Sequence, residues 1–223
     1  MTNYQQILRT ISVFLVFCFA YTAAAADGRR KPKETARWMT RSYLSLGWSS
    51  AVPLWNTYKR TEGVSPVGAE LSYQLRLNPH LTLGPDVHWQ LFDAVSSDRH
   101  IDAGADTPSQ INIWLERRFL CAALTFHYYI LGRNTMLPYI GLGLGAMRVR
   151  EKAGAVSSAG SDDLTEWHLL ATPEIGMYLL HGRIPVWLAG RLFLGIPSVS
   201  KNNEKNSNGE MMLVLTLGIT VPN

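Results

Sequence analysis

Connections of alternating length join eight stretches of alternating apolar and polar residues, and this rhythm constrains the fold more than any motif in the chain. The long connections, 55–63, 94–117, 152–164 and 198–210, are polar and irregular. The short ones are Asn78-Pro79, Gly132-Arg133-Asn134-Thr135 and His181-Gly182-Arg183. A chain that crosses a bilayer repeatedly as strands has this asymmetry, with tight turns on one side and long loops on the other. The rhythm implies an all-β fold: an eight-stranded antiparallel transmembrane β-barrel of the bacterial outer membrane, with short periplasmic turns and long extracellular loops.

Parity within each stretch assigns faces, because successive side chains of a strand point to opposite sides. The clearest case is 64–77. Val67, Ala69, Leu71, Tyr73, Leu75 and Leu77 alternate with Gly68, Glu70, Ser72, Gln74 and Arg76. Stretches 41–54, 80–93, 136–151, 165–180, 184–197 and 211–221 behave alike. The remaining stretch, the fourth, 118–131, sets Leu120, Ala122, Leu124, Phe126, Tyr128 and Ile130 against Thr125 and His127, but Ile111, Ile113 and Leu115 have the opposite parity. That reversal predicts a bulge near Arg117-Arg118 or a separate element over 109–116. An amphipathic helix over 111–126 also fits the spacing, although β-branched and aromatic content favours a strand.

The two faces differ in chemistry. The polar faces are rich in Gly, Ser and Thr, which suits a narrow lumen. The lysines avoid every proposed crossing: Lys31 and Lys33 precede the first stretch, and Lys59, Lys152, Lys201 and Lys205 lie in long connections. A lysine at the midplane of a lipid-facing surface costs roughly 2–4 kcal/mol, whereas a soluble barrel would carry lysines on its strands. Aromatic residues collect near the crossing ends. Trp55, Trp89, Phe92 and Trp167 fall near the outer end, and Tyr43, Tyr128, Tyr139, Tyr178 and Trp187 near the inner end. Such clusters are expected to form interfacial girdles, although Tyr43 and Tyr139 have lumen-side parity.

The N-terminal region reads as an export leader. Arg9 precedes a largely apolar run from Ile11 to Ala26, and Ala24-Ala25-Ala26 places small residues where a signal peptidase reads them. The expected organisation is a cleaved signal peptide over 1–26, a basic periplasmic tail over 27–37, and one barrel domain over 38–223. With Cys18 removed only Cys121 remains, so no intramolecular disulfide forms and Cys121 is expected to be a small packed residue. The formal charge of +4 comes from scattered basic residues and gives no nucleic-acid stripe.

Two segments carry a family resemblance: Leu137-Pro-Tyr-Ile-Gly-Leu-Gly-Leu-Gly-Ala146 and the terminal Leu213-Val-Leu-Thr-Leu-Gly-Ile-Thr-Val221. With the ordered set of eight stretches, residues 38–223 resemble the small outer-membrane barrels typified by the transmembrane domain of outer-membrane protein A. The resemblance implies a monomer surrounded by outer-membrane lipid and lipopolysaccharide. It also implies delivery by the barrel-insertion machinery and a partner outside the cell met through the loops. Such chains often end on an aromatic residue; this one ends Val221-Pro222-Asn223.

Chemistry is sparse. The polar lumen set is Glu70, Arg76, Asp86, His88, Glu174 and Arg191. A carboxylate, a histidine and a serine such as Ser72 could be drawn as a hydrolytic site. Some related barrels deacylate lipid A and resemble one another in a His-x-Ser motif. Here His88 is followed by Trp89 and Gln90, His127 by Tyr128 and Tyr129, and His168 by Leu169 and Leu170. The expected role of the lumen charges is therefore a structural ion-pair network, with no catalytic residues, metal or cofactor. Arg148, Arg150 and Lys152 are candidates for contact with lipopolysaccharide phosphates. Three function classes follow. A structural or surface-interaction barrel is expected first, a narrow passive pore second and a lipid A-modifying enzyme third.

Overall fold

The computed structural model describes residues 42–55, 57, 61, 63–96, 113–130, 136–155, 161–180, 184–197 and 209–222. Eight strands follow one another: β1 (Ser42–Leu54), β2 (Val67–Asn78), β3 (Leu81–Ser96), β4 (Ile113–Tyr129), β5 (Met136–Ala155), β6 (Ser161–Leu179), β7 (Val186–Pro197) and β8 (Glu210–Pro222). Each pairs antiparallel with its neighbours in the chain, and β1 pairs with β8 from Tyr43↔Pro222 to Leu54↔Met211, so the sheet closes. The leader, the 27–37 tail, residues 132–135 and 181–183, and most of the long connections lie outside the described residues.

The register fixes a narrow barrel. A line of paired residues runs from Ser45 through Ser72, Asp86, Ala123, Gly145, Leu170 and Gly195 to Glu210. The next residue, Met211, pairs with Leu54, so the line returns to β1 opposite position 55, about ten residues above its start. Such stagger tilts the strands and leaves an interior just wide enough for side chains. Gly145 shows how closely the backbones approach. A Cβ there would lie 2.0 Å from the carbonyl oxygen of Ala122.

Burial follows parity and is inverted relative to a soluble protein. Leu46, Leu144, Leu169 and Ile175 are 56–68% exposed on the outer surface, whereas inward Gln74, Thr82 and Thr216 are wholly buried. Apolar side chains outside and polar ones inside a closed barrel require a hydrocarbon solvent. The chain is an outer-membrane β-barrel.

The structure corrects the sequence reading in three places. First, β4 is one uninterrupted strand. Its ladders with β3 and β5 run without a register shift from Ile113 to Tyr128 and Tyr129, so there is neither a bulge at Arg117-Arg118 nor a separate element or helix within the described part of 109–126. Leu115 shares inward parity with Phe119 and Cys121, which lie in an apolar layer of the lumen, so the reversal needs no bulge. Second, β5 and β6 pair out to Gly154↔Ser161, which turns most of the expected 152–164 connection into strand and places Lys152 in β5. Third, the inner aromatic cluster is no girdle. Tyr43, Tyr139, Tyr178 and Trp187 are 1–6% exposed inside the barrel, and only Tyr128 of that set faces outward. Phe92, expected in the outer girdle, is also inside, while Trp55 and Trp167 are exposed.

Adjacent residues of β4 test this register. Phe119→Ala should cost about 3–5 kcal/mol because it empties a filled interior site. Leu120→Ala should cost much less, since lipid tails are as apolar as the side chain removed. Denaturant titrations of the two variants in bilayers check the order; a one-residue slip would reverse it.

Candidate functional site: a four-layered lumen

Inward side chains from all eight strands stack into four layers. The lowest lies at the end bearing the short connections, where odd strands begin and even strands end. Tyr43, Tyr129, Tyr139, Tyr178 and Trp187 meet there as one cluster. Tyr43 and Tyr178 contact edge to face at 5.7 Å, and Tyr139 and Tyr178 meet tilted by 37° at 5.5 Å. The hydroxyls of Tyr43 and Tyr129 hydrogen-bond to each other. Glycines on neighbouring strands admit the rings. Gly176 is the cross-strand partner of Tyr139, and Gly218 that of Trp187. A Cβ at either glycine would collide with the ring beside it. Offset and edge-on aromatic contacts of this kind fill volume with little flexibility.

Above the rings lies the charged layer. Arg191 on β7 places each guanidinium nitrogen against a different carboxylate. Nη2 is 2.6 Å from Glu70 Oε1, Nη1 is 2.8 Å from Asp86 Oδ2, and Nε donates to Glu174 Oε2 at 2.6 Å. These four side chains are at most 3% exposed. The Tyr139 hydroxyl donates to Glu174 and the Thr216 hydroxyl to Glu70, at 2.5 and 2.9 Å. His88 Nδ1 stands 3.8 Å from Glu70, and His127 Nε2 stands 3.5 Å from Glu174. A cavity of about 10 Å³ among Asp86, His88, Thr172 and Arg191 has room for about one water. Three buried carboxylates around one guanidinium are tolerable only because each is paired and hydrogen-bonded.

The third layer is apolar. Phe92, Phe119, Cys121, Met147, Val149, Leu170, Phe193, Met212 and Val214 form a continuous cluster across the lumen, with Phe92 and Phe119 in an edge contact at 5.4 Å. Cys121 is a buried free thiol within it. The fourth layer closes the other mouth. Arg117, fully buried, pairs with Glu210 at 2.8 Å and Glu151 at 3.0 Å, and donates to the Thr61 hydroxyl at 2.9 Å. The Thr57 hydroxyl donates to Glu210 at 2.7 Å and accepts the Met211 N–H. Trp55 has a left-handed φ of 50°, which turns the chain at the end of β1 so that Thr57 and Thr61 enter the mouth. That backbone is uncommon for a tryptophan and is held by these polar contacts.

The sequence-derived residues divide accordingly. Glu70, Asp86, Glu174 and Arg191 meet, with His88 beside them. Arg76 stands apart at the inner end, donating to the carbonyls of Asn78 and Pro79 at 3.1 and 3.3 Å. Arg148, Arg150 and Lys152 take alternate positions on the outward side of upper β5, each half-buried. Arg117, Glu151 and Glu210 were not singled out. The signal was the Arg117-Arg118 pair, which on a straight strand must put one guanidinium on each face. Among the described residues no group of three or more His, Cys, Asp or Glu is placed to hold a metal ion.

No family model matches the chain, and neither does any curated protein. Solved structures do. Neisserial surface protein A superposes with a TM-score of 0.47 at 13% identity over 82% of this chain and 97% of that one. Ail, the attachment invasion locus protein of Yersinia pestis, in complex with the heparin analogue sucrose octasulfate, gives 0.44 at 13% over 81% and 97%. The outer membrane protease OmpT of Escherichia coli gives 0.44 at 12% over 81% and 78%.

Arg191→Met should leave three carboxylates without their cation and cost roughly 3–5 kcal/mol. Adding Glu174→Gln should restore only part, because Glu70 and Asp86 remain. Unfolding midpoints of the single and double variants in bilayers measure the coupling.

Proposed function

We propose that this barrel is a non-catalytic, non-conducting outer-membrane protein whose role is structural or is exercised at its surface through the extracellular connections. The single observation that carries the reading is the filled lumen. A path along the axis would have to pass the Tyr43–Tyr129 floor, the Arg191 cluster, the Phe92–Phe119 layer and the Arg117–Glu210 latch. A closed eight-stranded sheet offers an interior only as wide as its side chains, so such packing leaves no aqueous channel. The same filling speaks against the lipid-modifying enzyme. His88 and its neighbouring carboxylates lie beneath the apolar layer, away from either rim, and lipid reaches only the outer surface.

The lumen charges then serve structure. Arg191 ties β7 to β2, β3 and β6 across the interior, which fixes the barrel's cross-section. Arg117 does the same for β4, β5 and β8 at the mouth.

Planar-bilayer recordings of the refolded, unmodified protein are expected to show no steady openings. Large, ion-selective openings would replace this reading with a passive pore. Hydrolysis of lipid A by the protein, abolished by His88→Ala, would replace it with an enzyme.

A further inference from the structure

Charge on the outer surface is confined to one sector. Among the described residues, the cations on the outward side are Arg118 on β4 and Arg148, Arg150 and Lys152 on β5. The outward sides of β1, β2, β7 and β8 carry none among those residues. Register brings the arginines together. Arg118 and Arg150 are direct cross-strand partners, and Arg148 stands two residues below Arg150 with Leu120 on one side and Trp167 on the other. Directly opposed side chains on one face lie about 4.5–5.5 Å apart at Cβ, and like charges placed so repel.

The height is equally specific. Residues 136–147 of β5 carry no charge, and a tilted strand needs about 9–11 residues to cross the hydrocarbon. Arg148 therefore emerges at the outer-leaflet boundary, beside a Trp167 that is 56% exposed. Three positions higher in the same sector hold carboxylates: Glu116, Asp93 and Asp163, the last a cross-strand partner of Lys152. Glu116 pairs with Arg118 and is the cross-strand partner of Lys152, and the exposed Asp93 is the partner of Glu116. These positions lie above Arg118, Arg148 and Arg150 in the ladder, and Glu116 reaches down to Arg118.

From this placement we propose that Arg118, Arg148 and Arg150 form a clamp for the phosphate groups of an outer-leaflet glycolipid, with Trp167 packing beside its sugar and acyl junction. Arginine suits the task, since its planar fork donates two parallel bonds to a phosphate. A phosphate seated between Arg118 and Arg150 is shared by two directly opposed arginines. Lys152, one step higher and opposite Glu116, serves the rim and not the clamp. The inference rests on the outer-membrane placement of the barrel and is independent of whether its lumen conducts.

The test uses the complete mature barrel in detergent and follows the temperature at which its folded gel band is lost. Bisphosphorylated lipid A, its dephosphorylated form and inorganic phosphate are added in turn. Bisphosphorylated lipid A is expected to raise that temperature, and the other two to leave it unchanged. In binding titrations each of Arg118→Gln, Arg148→Gln and Arg150→Gln should weaken lipid A by about tenfold or more. Arg76→Gln, at the opposite end, should leave the affinity unchanged, and the folded band of each variant without lipid verifies the barrel. Equal stabilisation by dephosphorylated lipid A, or undiminished affinity when all three arginines are replaced by glutamine together, overturns the clamp. A response to inorganic phosphate alone overturns the lipid as its source.

Discussion

Closure of the sheet is the constraint on which everything else depends. Hydrocarbon offers no partner to a backbone N–H or C=O, so a strand edge inside a membrane is not tolerated. Here β1 and β8 pair over twelve residues, from Tyr43↔Pro222 to Leu54↔Met211, and no edge remains. Closing only eight strands makes the interior narrow. A narrow interior must be filled, since a void inside loses the dispersion contacts that a close-packed core supplies. The four layers are the chain's answer to that requirement, and the outer face has only to be as apolar as lipid.

Filling such a lumen with charge is costly unless pairing is complete. Replacement of buried ion pairs by apolar groups is often neutral or stabilising, so the Arg191 cluster is weak evidence for stability by itself. Its directionality is the better explanation. An apolar layer such as Phe92, Phe119, Phe193 and Met212 tolerates rearrangement, whereas one guanidinium held by carboxylates on three strands accepts a single register. A slip of β7 by one residue would carry Arg191 out to lipid. The Arg117–Glu210–Thr57 contacts do comparable work for the segment that follows β1, using a backbone turn at Trp55 that few sequences would adopt unaided.

Parity made much of this legible in advance. The outward sets of all eight strands, the inward placement of Glu70, Asp86, His88, Glu174 and Arg191, and the lumen-side parity of Tyr43 and Tyr139 follow from a period of two. Parity does not say which inward residues meet. That depends on height and azimuth, which the stagger of the closed sheet sets and no single strand reveals. Arg76 and Arg191 look equivalent by alternation, yet one reaches the central carboxylates and the other turns to the carbonyls of Asn78 and Pro79. The bulge expected at Arg117-Arg118 rests on a uniformly polar lumen; with an apolar layer inside, inward Phe119 and Cys121 are in their proper surroundings and Leu115 continues the same parity. The aromatic floor was hidden likewise, because a tyrosine near a strand end has the same sequence signature at a lipid interface as in a plug.

A filled lumen moves any interaction with the surroundings to the rims and the outer wall, and the wall is uneven. β4, β5 and β6 have 17, 20 and 19 residues, whereas β1, β2, β7 and β8 have 12 or 13. A span of about 9–11 residues suffices for the bilayer, so the first group stands well above the membrane while the second barely clears it. The outward cations occupy the tall side, at the level where its strands leave the hydrocarbon. On the short side a charged residue at the same height would have little strand beyond it to hold its position. On the tall side the ladder continues to Gly154↔Ser161, so Arg118, Arg148 and Arg150 sit within regular sheet, with paired backbone above and below. Rigid placement on a strand limits the entropy that long side chains lose on binding, and this is the physical reason to look for recognition on that wall.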